Sequence, residues 1–386
     1  MDFREQLKQL ERQKQLRILR TVEPQPEGFA MMNNRHLLNL SSNDYLGLGT
    51  NEKLKNEFLK LLREHPDWFS LTSSSSRLLS GNSQLYDQTE ELLTMLYGRP
   101  ALFFNSGYHA NIAVLPALTT KIDLILSDKL VHASLIDGIQ LSSAHHIRYR
   151  HNDYDHLRKI LNEKRKSYDQ VYIVTESIFS MDGDLSDISV LIQLKKEFDL
   201  KLYIDEAHAV GVRGNKGLGI CEELNSIENI DIIIGTMGKA LGSVGAYVIC
   251  NEHIKQWLIN KARTFIFTTA LPPLNMAWSH FILSKLPGFR YERHQLKKRT
   301  RQMASSLKAN QLNADANSHI IPVIIGDNET TVKLSEYLYC KGFLVIPIRP
   351  PTVPQGSSRL RLSLSSSMHW DDLQTLGVEI RSFLNK

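Results

Sequence analysis

Lys201-Leu202-Tyr203-Ile204-Asp205-Glu206-Ala207-His208 holds a short apolar run, Leu202–Ile204, closed by the carboxylate of Asp205. A second run, Ile230-Asp231-Ile232-Ile233-Ile234, leads into Gly235-Thr236-Met237-Gly238-Lys239-Ala240-Leu241-Gly242. Val171-Tyr172-Ile173-Val174-Thr175 and Ala246-Tyr247-Val248-Ile249-Cys250 have the same character. Such runs are near-continuously apolar because helices cover both faces of the strand. Helical stretches separate them from about residue 85 onward, and the alternation predicts an α/β domain with a mostly parallel sheet.

Outward from this centre, residues 1–20 place Phe3, Leu7, Leu10, Leu16 and Leu19 at near-helical spacing, which predicts an amphipathic helix. Residues 36–40 read as a short strand and Ser41–Leu48 as a turn-rich loop. Leu271-Pro272-Pro273 breaks the chain before a long helical region. Strand-like runs return at Ile320–Ile325, Leu344–Ile346 and Arg359–Ser363. The expected division is an N-terminal helix and arm (1–45), a large α/β domain (46–273) and a small C-terminal α+β domain (274–386).

The 386 residues are 42% apolar and 23% charged, ordinary for a globular chain and unlike a disordered one. No apolar stretch approaches the roughly 20 residues of a membrane span. Cys221, Cys250 and Cys340 are too few and too scattered for a disulfide scaffold or a Cys-x-x-Cys zinc site. The first residues carry Asp2, Glu5 and Glu11 without an apolar signal core, so a reduced cytoplasmic compartment is the expectation. The net charge of +5 is spread among acids, as in Glu163-Lys164-Arg165-Lys166, rather than gathered into a nucleic-acid-binding stripe.

Asp205-Glu206-Ala207-His208 spells the DEAH box of certain helicases. The phosphate-cradling loop such enzymes need upstream is missing: Gly238-Lys239 is followed by Ala240 and lies downstream. No Gly-x-Gly-x-x-Gly follows a strand, and neither Gly-x-Ser-x-Gly nor His-Glu-x-x-His occurs.

Four motifs fall at strand ends, the edge where open α/β sheets bind ligands. Asn105-Ser106-Gly107-Tyr108-His109-Ala110-Asn111 leads from Ala101–Phe104 into a helix and suits a phosphate; a simple capped turn fits equally. Asp205 in an apolar setting calls for a cationic partner, with His208 three residues on; it could instead cap a helix. Lys239 between glycines could be an exposed loop lysine, or a desolvated amine able to form a Schiff base. Glu176–Asp184 adds hydroxyls and carboxylates beyond a strand. Taken together, a strand-end Asp followed 34 residues later by a Gly-flanked strand-end Lys is what a pyridoxal-phosphate enzyme needs. Lys239 would carry the cofactor as an imine, Asp205 would keep the pyridine nitrogen protonated, and His132 is the candidate ring to cover the other face; a buried, hydrogen-bonded structural histidine fits it as well.

The chain resembles the α-oxoamine synthase family of fold-type-I pyridoxal-phosphate enzymes from Arg17 to about His369. The resemblance is carried by Ser42–Leu48, Ser106-Gly107-Tyr108, His132-Ala133-Ser134, Ser180–Asp184, Asp205–His208, Thr236–Lys239 and Arg359-Leu360-Arg361. It implies a large mostly parallel domain with a smaller α+β domain, and pyridoxal 5'-phosphate bound covalently at Lys239. Lys239, His132 and Asp205 would be catalytic. Ser106, Gly107, Tyr108 and Thr236 would surround the phosphate, with His208 and Ser180 near the ring hydroxyl. Thr268 or Thr269 would reach the phosphate of the partner subunit in a homodimer. Asn43 and Arg361 would face the amino-acid carboxylate, and Arg17 and Thr352 the acyl substrate. Ile348-Arg349-Pro350-Pro351-Thr352-Val353-Pro354 is most similar to members that condense L-alanine with a pimeloyl thioester in biotin biosynthesis. The alternative within the family is glycine with acetyl-CoA. Nucleic acid, membrane and metal are not expected partners.

Two departures stand out. Thr72-Ser73-Ser74-Ser75-Ser76-Arg77 replaces the family's glycines with serines, so any position there needing a positive φ is strained. Tyr86 stands where the family usually has His.

Overall fold

The computed structural model describes residues 2–312 and 316–385. The chain divides into two compact units: one of residues 1–51, 180–184 and 292–386, the other of residues 52–179 and 185–291.

The larger unit is built on a seven-stranded sheet. Its strands are β1 (Ala101–Phe104), β2 (Leu124–Asp128), β3 (His145–Tyr149), β4 (Val171–Glu176), β5 (Lys201–Asp205), β6 (Ile232–Thr236) and β7 (Ala246–Ile249). The spatial order is β1-β7-β6-β5-β4-β2-β3. Only β7 runs antiparallel to its neighbours. The apolar runs became strands because β1, β2, β4, β6 and β7 are buried along their whole length. Leu102, Phe104, Ile125, Val174, Ile234 and Val248 pack with Val114 and Leu115 in one core. Each such side chain contributes about 1.5–3 kcal/mol relative to exposure. Edge strand β3 reads His-His-Ile-Arg-Tyr, is largely exposed, and offered no apolar run to find it by.

Because β1, β2, β4, β5 and β6 run parallel, their carboxyl ends share one edge. Helix α1 (Gly107–Leu118) starts there after β1, and helix α2 (Ala133–Leu141) after β2. Gly245, entering β7 at the same edge, has φ +111°. A Cβ there would lie 2.4 Å from the Phe103 ring, so only glycine lets the chain turn against that side chain.

The smaller unit holds two sheets. Arg35–Asn39 pairs antiparallel with Phe29–Met32 and parallel with Phe343–Leu344. Ser358–Ser363 lies between Ile320–Gly326 and Pro347–Ile348, antiparallel to both. Gly183, at φ +68°, belongs to this unit, and a Cβ on it would meet the Ile320 carbonyl at 2.0 Å.

The N-terminal helix is shorter than its apolar spacing suggests. It spans Phe3–Arg12 and buries no residue. Lys14 takes φ +54°, and the Gln15 and Leu16 N–H groups both turn back to the Leu10 carbonyl. This ends the helix before Leu16 and Leu19 can join its face. The long helical region after Pro273 is two helices, Pro273–Lys285 and Arg290–Ala309.

Candidate active site

Three neighbouring strands of the larger unit end in carboxylates: Asp128 on β2, Glu176 on β4 and Asp205 on β5. Glu176 and Asp205 are register partners across the sheet. Buried carboxylates need donors, and each has its own. Asp128 accepts from the Leu130 and Asn152 N–H groups and from His151 Nδ1, at 2.8, 2.9 and 2.8 Å. Asp205 accepts from Asn111 Nδ2 and from the Ala207 N–H, each at 2.8 Å. Glu176 Oε1 accepts from the His132 N–H at 2.5 Å.

Lys239 follows β6 on a loop flanked by Gly238 and Gly242. Its Nζ lies 2.8 Å from His208 Nε2. The charges of Lys239 and Asp205 both act on His132 and on Glu176. Burial lowers the His132 pKa, Asp205 opposes that shift and Lys239 adds to it. Burial pushes Glu176 up to about 8, reinforced by Asp205 and Asp128 and opposed by Lys239 and the His132 N–H. Thus β2, β4, β5 and β6 deliver His132, Glu176, Asp205, His208 and Lys239 to one place.

His132 caps helix α2. Its Nδ1 accepts from the Ser134 N–H at 3.2 Å and lies 2.8 Å from Ser134 Oγ. Acceptance at Nδ1 puts the ring proton of the neutral imidazole on Nε2.

The cradle beside Lys239 is made by α1 and the loop after β6. Ser106 caps α1 and accepts from the His109 N–H at 3.2 Å. The Gly107 and Tyr108 N–H groups then have no partner within the helix, and the helix dipole points the same way. A Cβ on Gly107 would meet only Thr236, with its Oγ1 at 3.9 Å; one on Gly238 would lie 3.7 Å from the same hydroxyl. Two open glycine faces and a hydroxyl therefore bound one space. Tyr108 contributes backbone here, since its hydroxyl bonds Asp137 at the surface. Asn105 Nδ2 donates to the Thr269 carbonyl at 2.7 Å and to Thr268 Oγ1 at 3.4 Å, which brings that pair to the same strand end.

In the smaller unit, buried Arg361 on Ser358–Ser363 gathers Asn43 and Ser180. It donates to Asn43 Oδ1 at 3.2 Å, Tyr45 OH at 3.1 Å, Ser363 Oγ at 2.6 Å and the Ser180 carbonyl. Tyr45 OH donates in turn to Asn43 Oδ1 at 2.8 Å. Burial raises the Tyr45 pKa against the pull of Arg361. Arg17 donates to Thr352 Oγ1 at 2.9 Å, joining the other expected pair.

The serine loop carries the strain expected of it: Ser74 sits at φ +51°. Thr72 Oγ1 accepts from the Ser74 N–H at 3.0 Å, and Ser73 Oγ donates to the Leu271 carbonyl at 2.7 Å. Tyr86 OH accepts from the Leu271 N–H at 2.7 Å, and Arg77 stacks over the Tyr86 ring at 4.1 Å.

Two members of this arrangement lie in the strand-end motifs but show no role of their own in the sequence. Asn111 links Asp205, Ser134 (3.0 Å) and the Tyr203 hydroxyl (2.7 Å). Glu176 holds His132. The available signals were weak: Asn111 lies one helical turn beyond Gly107, and Glu176 closes an apolar strand just as Asp205 does.

The model of aminotransferases class I and II matches residues 35–377. The chain is 50% identical over 374 residues to a Haemophilus influenzae (strain 86-028NP) protein provisionally named 8-amino-7-oxononanoate synthase, covering 96% of this chain and 98% of that one. A Neisseria gonorrhoeae (strain NCCP11945) protein with the same provisional name is 49% identical over 374 residues, with the same coverage. Among solved structures, a serine palmitoyltransferase variant from S. paucimobilis with a bound PLP–myriocin aldimine superposes with TM-score 0.91 at 25% identity, covering 100% of this chain and 99% of that one. The 8-amino-7-oxononanoate synthase of Francisella tularensis gives 0.75 at 28% identity, covering 90% and 98%.

Proposed function

The chain belongs to the class I and II aminotransferase family, and on that premise we propose that it condenses L-alanine with a pimeloyl thioester, releasing CO2 and a free thiol and forming 8-amino-7-oxononanoate for biotin biosynthesis. The fold is that of the fold-type-I pyridoxal-phosphate transferases, and pyridoxal 5'-phosphate is the cofactor. The residues present suit it. The Gly107–Tyr108–Thr236–Gly238 cradle fits a phosphate, Asp205 a protonated pyridine nitrogen, and Lys239 an aldehyde. The observation that carries the reading is the convergence of Lys239, His208, Asp205 and His132 at one sheet edge.

When bound, the cofactor supplies an electron sink for the amino-acid Cα. Asp205 would hold the proton on the pyridine nitrogen, its own oxygens being fixed by Asn111 and the Ala207 N–H. Lys239 Nζ takes the Cα proton of alanine as a general base and later returns one to the product carbon. His208 Nε2 shares that amine and so steers where its proton sits. His132 would cover the cofactor ring when it is bound, and its Nε2–H would stabilise the oxygen that gains charge when the thioester carbonyl is attacked. Arg361 and Asn43 take the amino-acid carboxylate, and Arg17 and Thr352 the acyl chain.

The working form is a homodimer. Phe69, Leu71, Leu79 and Phe267 are 61%, 68%, 83% and 71% exposed. Hydrogen bonds from Ala270 to Ser75 and from Leu274 to Ser70 tie their segments together. Exposed apolar side chains on two such joined segments suit an interface, and on this reading Thr268 and Thr269, in the second segment, would reach the partner's phosphate. A cytoplasmic setting belongs to the same proposal. All three cysteines are free. No helix among the described residues is long and apolar enough to cross a membrane.

Thiol release tests the reaction. Release from pimeloyl-CoA that depends on L-alanine supports it. Release only from acetyl-CoA with glycine would overturn the substrate assignment while leaving Lys239 in place.

A further inference from the structure

The Glu176 carboxyl reaches away from its own strand to the main chain of His132, 44 residues earlier in sequence. Glu176 closes β4, and His132 caps α2 four residues after β2, so this bond ties a strand end to the start of a neighbouring helix. Elsewhere the His132 carbonyl accepts from the Leu135 and Ile136 N–H groups at 2.9 and 3.2 Å, and the ring is held through Ser134, whose hydroxyl is tied to Asn111 and thence to Asp205. That path orients the imidazole. The helix-start bonds hold the His132 carbonyl, and the Glu176 bond ties its N–H, on the other side of the same Cα, to the end of β4.

A carboxyl so enclosed is an expensive way to accept one N–H. The groups facing it are Asp205 across the sheet, Asp128 from β2, Lys239 from the loop after β6 and the His132 N–H. A serine or asparagine would satisfy a lone N–H with less desolvation. We propose that Glu176 is a positioning residue for the cofactor: by clamping the His132 main chain beside the strand end that bears Asp205, it sets the distance between the stacking imidazole and the pyridine ring. The proposal rests on the reading that His132 covers that ring.

The test is a double-mutant cycle on the apo-protein, titrated with pyridoxal phosphate and followed by intrinsic fluorescence and by the visible circular dichroism of the bound cofactor. Glu176→Met keeps the volume and removes the acceptor. Glu176→Gln keeps an acceptor oxygen and serves as the rescue. His132→Ala removes the ring. Glu176→Met is expected to weaken cofactor binding about tenfold and diminish the visible dichroism, Glu176→Gln to stay within about threefold of wild type, and Glu176→Met to add less than about twofold in the His132→Ala background.

Wild-type binding and dichroism in Glu176→Met, with His132→Ala impaired, would overturn the role of Glu176 and leave His132 in place. A full Glu176→Met loss in the His132→Ala background would mean that Glu176 does not act through the ring, and would also overturn it. An unimpaired His132→Ala would overturn both readings together. Should the methionine fail to pack, hydrogen exchange at the wild-type His132 amide reads the same bond: protection supports it, and exchange at the rate of an open amide overturns it.

Discussion

Asn111 and Asp205 are 94 residues apart in sequence and meet at 2.8 Å, the amide donating to the carboxylate while its oxygen accepts from Tyr203. The Asn111 Nδ2 also reaches Ser134, so one side chain serves both the residue assigned to the pyridine nitrogen and the helix start that orients His132. Asn111→Ala strips a donor from a buried carboxylate. The expected loss is about 2–3 kcal/mol of apo-protein stability, measured by denaturant unfolding, together with weaker cofactor binding. A change below about 0.5 kcal/mol would show that water or a neighbour replaces the amide at little cost.

Stability should depend on pH through Glu176. Its folded pKa is raised to about 8 from an ordinary 4.5. Between these values the unfolded chain has released the proton and the folded chain retains it. Stability therefore falls as pH rises, by up to about 1.4 kcal/mol per unit from this group. It levels off once the folded carboxyl ionises. Glu176→Gln lacks this term, so its apo-protein should gain on wild type steadily from pH 5 to pH 8. Parallel stability curves would contradict the assignment.

Arg361 spends its donors on Asn43, Tyr45, Ser363 and the Ser180 carbonyl. A lysine cannot reproduce that fork. Both Arg361→Lys and Arg361→Ala are expected to raise the KM for alanine at least about tenfold, with cofactor affinity within about threefold of wild type. An unchanged KM would remove Arg361 from carboxylate recognition.

Ser74 occupies left-handed backbone space that costs a non-glycine residue about 1 kcal/mol or more. Ser74→Gly relieves it and is expected to raise thermal stability slightly, by up to about 1 kcal/mol after the added entropy of the unfolded chain. A lowered melting temperature would show that the Thr72–Ser74 hydrogen bond outweighs the strain.

The strands at the centre of the larger sheet were legible because burial on both faces leaves an unbroken apolar run, as in Val171–Glu176 and Ile232–Thr236. Edge strand His145–Tyr149 was not, since exposure permits two histidines and an arginine. The spacing of Leu16 and Leu19 misled because periodicity does not report a positive φ such as that of Lys14. Within the site, Lys239, Asp205 and His132 stood out because a charge or imidazole beside glycine or an apolar run is conspicuous. Asn111 and Glu176, though inside the quoted motifs, showed no role of their own for the opposite reason. A polar residue inside a helix or at a strand end is commonplace, and their importance comes from partners 94 and 44 residues away that only the sheet topology brings close.

The most direct test concerns Lys239. Protein reconstituted with pyridoxal phosphate is reduced with borohydride and digested, and the pyridoxyl mass is located by peptide sequencing. The expected result is a single modified position, Lys239, absent from Lys239→Ala. Modification at another lysine such as Lys255, or an equal yield in Lys239→Ala, would contradict the placement of the chemistry at the end of β6.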